Sequence, residues 1–171
     1  MKLRLYNTMS RKIEDFYTVE PGKAKLYTCG PTVYNYAHIG NLRTYVFEDV
    51  LRRVLEYAGY EVEHVMNVTD VGHLTDDADQ GEDKMVKSSR ESGQSVWDIA
   101  KFYTEAFFLD IDNLNIVRPT ITCNATDHIG DMIGLIKKIE GNGHTYESGG
   151  NVYFSIDTFP EYGKLARLDT Q

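Results

Sequence analysis

Cysteine is scarce, at 2 residues in 171, and the pair, Cys29 and Cys123, stand far apart. A disulfide framework is therefore not expected. No apolar run approaches the ~20 residues that a helix needs to cross a bilayer. The opening Met1-Lys2-Leu3-Arg4-Leu5-Tyr6 has no extended apolar region of the secretory kind. Membrane partners are not expected, and the cytoplasm is the default location. Positive charge is in the minority, with 18 Lys and Arg against 26 Asp and Glu, a formal net charge of −8. Arg52-Arg53 and Lys137-Lys138 are pairs only. Nucleic acid needs a basic surface to meet its phosphates, so this segment is not expected to be the main grip on one. Internal repeats and low-complexity tracts are absent as well.

What is present is an alternation of strand and helix signals. A chain of 171 residues holds one domain, or one domain with an appendage. Residues 3–7 alternate weakly, as an edge strand does, and 11–19 are a candidate partner. Pro21-Gly22 marks a turn. Residues 24–28 read as a short buried strand. Residues 61–68, with Val62, Val65, Met66 and Val68, read as its parallel partner. Between them Leu42, Val46, Val50, Val54 and Tyr57 recur at helical spacing, widened by Phe47, Leu51, Leu55 and Ala58. They form the apolar stripe of a helix over residues 41–58, stopped at Gly59. Such a βαβ crossover is expected to be right-handed.

The acidic, glycine-bearing residues 71–82 read as loop, and 83–91 as helical up to a stop at Gly93. Ser95 with Asp98 resembles a capping box. It heads a helix to about Leu114 whose face of Val96, Ala100, Tyr103, Phe107 and Leu114 is expected on the sheet. Residues 121–124 are a candidate third strand. Thr126 is a candidate N-cap for a helix through Ile139, with Ile129, Met132, Ile133, Ile136 and Ile139 inward and Gly141 as the stop. Gly149-Gly150, flanked by 144–147 and 151–155, predicts a hairpin. The order β-α-β-α-α-β-α-hairpin is that of an α/β doubly wound half.

The most informative run is Cys29-Gly30-Pro31-Thr32-Val33-Tyr34-Asn35-Tyr36-Ala37-His38-Ile39-Gly40-Asn41, between the first parallel strand and its helix. Backbone N–H groups point outward at such a turn, and the helix dipole adds positive partial charge. Phosphate is the natural ligand. Cys29 places a soft metal ligand or nucleophile at the same mouth.

His38-Ile39-Gly40-Asn41 resembles the HIGH signature of class I aminoacyl-tRNA synthetases, with Asn in the last place. The longer string from Thr28-Cys29-Gly30-Pro31 through Asn41-Leu42-Arg43-Thr44-Tyr45 resembles the cysteinyl-tRNA synthetase family in particular. Asn67-Val68-Thr69-Asp70-Val71 is similar to a second segment of that family, and Ala125-Thr126-Asp127-His128-Ile129 to a third. Val152-Tyr153-Phe154 with Tyr162-Gly163-Lys164-Leu165 is similar to a fourth. These segments follow the family's order and cover essentially the whole chain. The resemblance covers the front part of the family only. A second half of the nucleotide fold, a KMSKS-type loop and a tRNA-binding C-terminal region are expected beyond Gln171. Lys84-Met85-Val86-Lys87-Ser88 is a loose lookalike of that loop in the wrong place. The sequence departs from the family pattern between Gly72 and Asp83, where a carboxylate pair and a Lys commonly follow Thr-Asp-Val directly.

The resemblance implies the first half of a class I synthetase Rossmann-type (HUP-like) parallel sheet, followed by the start of an inserted β-containing subdomain. Residues 1–141 would be the N-terminal half of the nucleotide-binding catalytic domain and 142–171 the beginning of the connective insertion. It implies a cysteine–tRNA ligase that uses ATP with magnesium to convert L-cysteine to cysteinyl-adenylate, then transfers cysteine to tRNA(Cys). The tRNA would be held mainly by C-terminal regions. It implies His38 and Asn41 as catalytic residues, with Thr32 and Gly40 completing the ATP site. Cys29, Gly30 and Thr69 would take the amino acid. Cys29 would be one of four zinc ligands, the others lying beyond residue 171. Zinc prefers a soft thiolate to a hydroxyl, so it tells cysteine from serine without an editing site. This chain alone is expected to be a poor or inactive enzyme. Two alternatives stand beside this reading. One is a related ligase that couples cysteine to an amino sugar. The other is a free-standing module that binds nucleotide or partner protein without catalysis.

Plain structural readings also exist for individual residues. A lone Cys29 is ordinarily a small buried hydrophobe. His38, His73, His128 and Cys123 are conceivable further zinc ligands, but no pair has metal-site spacing. Thr69 either lines the pocket or closes a turn that holds Asp70. Asp76, Asp77, Asp79, Glu82 and Asp83 lack the spaced EF-hand pattern and read as a solvated loop. Trp97, Tyr103, Phe107 and Phe108 are explained by core packing.

Overall fold

The computed structural model describes residues 2–71, 89–90, 93 and 95–168. In chain order these form β1 (Arg4–Asn7), β2 (Lys12–Asp15), β3 (Lys23–Thr28), α1 (Ile39–Tyr57), β4 (Glu61–Val68), α2 (Val96–Asn113), β5 (Ile121–Asn124), α3 (Ile129–Gly141), β6 (Thr145–Ser148) and β7 (Asn151–Phe154). A 3₁₀ turn, Ala125–His128, precedes α3, and a second, Ile156–Thr158, follows β7. The chain divides into two compact units. One is Thr18–His128; the other combines Met1–Tyr17 with Ile129–Gln171.

The unit Thr18–His128 is built on a parallel sheet in the order β3-β4-β5. This is the α/β arrangement expected from the sequence. Alternation sets the faces. Ala24 and Thr28 are buried on β3 while Lys23, Lys25 and Tyr27 face water. His64, Met66 and Val68 are the buried row of β4. Two apolar clusters sit against the sheet. Val33, Val68, Ile99 and Ala100 form one, and Tyr45, Met66, Phe107 and Ile111 the other. Helix α2 contributes to both, starting from Ser95, whose Oγ accepts from the Asp98 N–H at 3.2 Å. Ile99 and Ile111 are its most buried residues, whereas Leu114 and Trp97, expected inward, are exposed. Leu114 is the C-cap, one turn past the last core position.

Helix α1 ends as predicted at Gly59, whose φ of +95° only glycine adopts freely. The Tyr60 and Gly59 N–H groups return to the Leu55 and Glu56 carbonyls at 3.1 and 3.0 Å, a Schellman motif. Its buried face is not the apolar stripe. Tyr45, Glu48, Asp49 and Leu55 are buried, while Val46, Phe47, Val50, Val54 and Tyr57 are exposed. Asp49 tolerates burial on this face because its carboxylate is fully partnered. Asp49 accepts from the Val117 N–H at 2.9 Å and from Arg53 Nε at 2.7 Å. Arg52 and Arg53 each donate at 2.7 Å to the carbonyls of Arg118 and Asn115. The α2–β5 connection is thereby tied to α1.

The second unit holds two antiparallel pairs, β1-β2 and β6-β7. Gly149 and Gly150, at φ +58° and +80°, make the two-residue turn of the predicted hairpin. None of its described residues is buried. Ile129, Met132, Ile133 and Ile136, expected inward on α3, are 43–48% exposed. Among the described residues α3 meets the four-residue β6, which is too small to cover an apolar stripe. The stop of α3 is Gly143 at φ +78°, not Gly141, because the His144 and Gly143 N–H groups close onto Ile139 and Glu140. Thr126 does not cap α3 either, since its hydroxyl and N–H bind Asp70 at 2.6 and 3.0 Å. Among the described residues no helix is long and apolar enough to cross a membrane.

Candidate functional site

The site begins where β3 ends. Thr28 pairs with Met66, and pairing resumes in a parallel bridge between Thr32 and Thr69. Three residues on one side, Cys29, Gly30 and Pro31, thus oppose two on the other, Asn67 and Val68. This is a bulge at the carboxyl end of a parallel sheet, where open α/β folds collect ligands. Beyond it Val33 N–H donates to the Thr69 carbonyl at 3.1 Å, and Thr69 N–H to the Pro31 carbonyl at 2.9 Å. Gly30 is required by space. A Cβ there would lie 1.8 Å from the Asn67 carbonyl oxygen. The bulge leaves Cys29 exposed at the strand end, so its thiol is available, unlike that of a packed core cysteine.

The chain then enters α1 through His38, which is extended at φ −94° and ψ 171° and caps the helix. His38 Nδ1 accepts from the Gly40 N–H at 3.1 Å, and the Asn41 side-chain oxygen accepts from the His38 N–H at 3.2 Å. A reciprocal capping box results. It also fixes the polarity of both side chains. A ring nitrogen that accepts an N–H carries no hydrogen, so the His38 ring proton is on Nε2. With its oxygen used, Asn41 has its Nδ2 hydrogens left. Both residues therefore keep donors free, beside the positive end of the helix dipole. Gly40 is glycine because a Cβ would meet the His38 ring at 2.9 Å.

These groups border a cavity of about 300 Å³. Gly30, Thr32, His38 and Asn41 line it, as do Tyr34, Tyr36, Tyr45, Tyr103 and Phe107. Cys29, Gly40 and Thr69 are not part of this lining. The aromatic wall was not foreseen as part of the site. Tyr36 meets Tyr103 edge-on at 5.1 Å and Phe102 at 5.9 Å, although both partners lie more than sixty residues further along the chain. Burial, with smaller contributions from Glu48 and Cys29, pushes the Tyr45 hydroxyl up to about 12, so it stays a donor.

Two polar clusters under the bulge carry no periodic sequence signal. Asn67 Oδ1 accepts from Gly30 N–H at 3.0 Å and from the Tyr27 hydroxyl at 3.1 Å, and Asn67 Nδ2 donates to Thr69 Oγ1 at 3.1 Å. On the other face of the strands Thr28 Oγ1 lies 2.8 Å from His64 Nε2 and also bonds Glu48. Glu48 Oε2 and His64 Nδ1 have no partner there. Burial pushes the Glu48 carboxyl above its usual range, opposed by the Thr28 bond. Burial first, and Arg52 second, push His64 down, opposed by Asp49. Both groups are thereby driven toward their neutral forms.

For zinc, Cys29 can supply one accessible thiolate. No group of three or more His, Cys, Asp or Glu able to hold a metal occurs among the described residues. The Cys123 thiol is half-buried and directed at the Met66 carbonyl, 3.6 Å away. His73, the acidic positions 76–83 and the lookalike at 84–88 lie outside the described residues.

The family model for the catalytic domain of class I (C) tRNA synthetases matches residues 15–171. A cysteine–tRNA ligase of Treponema denticola is 62% identical over 171 residues, covering 100% of this chain and 35% of the relative. Cysteine–tRNA ligase 1 of Burkholderia lata is 56% identical over 169 residues, covering 99% and 36%. The chain thus spans about a third of the length of the curated relatives it matches. Among solved structures, a LeuRS–tRNA–LeuAMS ternary complex of Agrobacterium radiobacter superposes with a TM-score of 0.59 at 20% identity. That match covers 75% of this chain and 16% of the other, and supports the fold alone. By its sequence match and its parallel sheet, the chain belongs to the family of class I (C) tRNA synthetase catalytic domains.

Proposed function

We propose that this segment provides the ATP-phosphate and amino-acid turn of a cysteine–tRNA ligase. The observation that carries the reading is the pair of donors left by the capping box, His38 Nε2–H and Asn41 Nδ2–H, on the wall of the cavity. The cysteine–tRNA ligase names of the relatives at 62% and 56% identity support the substrate. In the natural protein a carboxylate oxygen of L-cysteine attacks the α-phosphorus of ATP. The α–β phosphoanhydride breaks, leaving cysteinyl-adenylate and pyrophosphate. The terminal hydroxyl of tRNA(Cys) then attacks the acyl carbon and AMP departs. His38 and Asn41 stabilise the charge that grows on the phosphate oxygens in the first step, as preorganised donors do. Thr32 adds a hydroxyl, and Gly40 keeps the turn close to the nucleotide. Magnesium accompanies the phosphates. Cys29, Gly30 and Thr69 bound the amino-acid side of the bulge.

Cys29 would supply one zinc ligand from this segment. Bound zinc would supply a soft Lewis acid for the substrate thiolate. Residues 1–141 read as the first half of the nucleotide-binding domain and 142–171 as the start of its connective insertion. The cytoplasm is the place of work. The test is cysteine-dependent ATP–pyrophosphate exchange and tRNA(Cys) charging by the natural protein. Cysteine supports both and serine neither, and His38→Ala removes the exchange. Exchange that persists in His38→Ala, or that serine supports equally, overturns the proposal.

A further inference from the structure

The polarity of the Asn67 hydrogen bonds leads beyond the assignment of Thr69 as a pocket residue. Asn67 lies between the bulge and the β4 end and touches both. Its Oδ1 faces Gly30 N–H at 3.0 Å. A backbone N–H can only donate, so the amide cannot be turned the other way. The Tyr27 hydroxyl, 3.1 Å from the same oxygen, must donate too. Asn67 Nδ2 then necessarily faces Thr69 Oγ1, at 3.1 Å, and the threonine oxygen must accept. The Thr69 hydroxyl proton therefore has to point away from Asn67. It meets no acceptor among the described residues.

We infer that Asn67 is a positioning residue that fixes Thr69 as a hydrogen-bond donor toward the substrate amino acid. Thr69 then recognises an acceptor atom of that substrate, a carboxylate oxygen or a sulfur, and not its ammonium group. The same carboxamide holds the Gly30 N–H, so the two walls of the bulge are set by one side chain. The inference rests on the reading of Thr69 as part of the cysteine pocket. A site that presents an oriented donor discriminates more sharply than a freely rotating hydroxyl, because a ligand lacking the acceptor leaves the donor unpaired.

The test is a double-mutant cycle in the natural protein, read as KM for cysteine and for ATP in pyrophosphate exchange. Asn67→Asp keeps an acceptor for Gly30 N–H but loses the donor to Thr69, whose hydroxyl then donates to the new carboxylate. Thr69→Val removes the hydroxyl. Each single change is expected to raise the cysteine KM about tenfold, the loss of roughly one hydrogen bond, with the ATP KM within about twofold. The double variant is expected to be no worse than Thr69→Val. Tyr27→Phe, which leaves the carboxamide oriented by Gly30, is expected to leave the cysteine KM unchanged. The side-chain amide of Asn67 in the unaltered protein provides an independent arm by nitrogen–proton NMR. One of its protons should exchange slowly, and Thr69→Val should abolish that protection. If Asn67→Asp does not fold, this arm decides. Effects of Asn67→Asp and Thr69→Val that add in full overturn the inference alone. A cysteine KM unmoved by Thr69→Val, with the Asn67 amide still protected in the parent, overturns the reading of Thr69 and the inference with it. An Asn67 amide that exchanges freely in the parent overturns the inference directly.

Discussion

The unit Thr18–His128 contains every buried residue of the described chain, while Met1–Tyr17 with Ile129–Gln171 contains none. Both have regular secondary structure and well-formed hydrogen-bond ladders. The difference lies in what backs the ladders. A parallel sheet with helices against it buries Val68 and Ile99 almost completely. Two short antiparallel pairs and an amphipathic helix leave their apolar side chains in water. Hydrogen bonds define a conformation, but apolar burial supplies most of the free energy that holds it. The first unit is the one that can keep a binding turn rigid, and it is the one that carries the site.

The largest expected effect separates the two units by stability. Ile111→Ala, at a fully buried position, should cost about 2–5 kcal/mol in urea unfolding. Ile133→Ala on exposed α3 should change stability by about 0.5 kcal/mol or less. Equal costs would mean that the apolar face of α3 is covered in solution. Next is Gly30→Ala. Its Cβ cannot share space with the Asn67 carbonyl, so the bulge must open, at about 1–3 kcal/mol, with loss of ATP binding. Retained stability and binding would show that the bulge is not rigid.

A smaller effect concerns the cap. His38→Ala should cost about 1 kcal/mol and weaken ATP binding, while His38→Asn should restore the cap but not the binding. Parallel recovery of both would reduce His38 to a structural residue. The smallest effect is one of pH. Glu48 is raised in the folded state, so its contribution is fully present below its ordinary 4.5 and is lost as pH rises through the folded value. His64 is lowered, so its contribution is fully present above 6.5 and is lost as pH falls toward the folded value. Glu48→Gln should therefore raise Tm at pH 8 and lose that advantage near pH 4. A Tm gain independent of pH would remove Glu48 ionisation from the account.

The parallel strands, the hairpin and the turn from β3 into α1 were legible in sequence because each has a local cause: alternation, a Gly-Gly pair, a strand meeting a helix. The buried face of α1 was not. Hydrophobic periodicity assigns the core to valines, and nothing local tells that Asp49 will meet the Val117 N–H across 68 residues. Gly141 was the expected stop of α3, but the Ile139 and Glu140 carbonyls take the N–H groups of His144 and Gly143 and move the stop to Gly143. Within the site His38, Asn41 and Thr32 were readable from their motif, and Gly30 from its place in the turn. Asn67 was visible only as part of a similar segment. Its role comes from the direction of three hydrogen bonds, which no spacing encodes. Tyr103 and Phe107 read as core residues, and they are, but their edges also close the cavity.

The β3–α1 turn in the well-packed unit is proposed as a nucleotide-phosphate site. It is tested most directly by titrating ATP with magnesium into the isotopically labelled chain and following backbone amide resonances. Saturable shifts are expected at Gly30, Thr32 and His38 to Asn41, abolished by His38→Ala, with residues 129–168 unmoved. Shifts confined to residues 129–168, or shifts at the turn that survive His38→Ala unchanged, would contradict it.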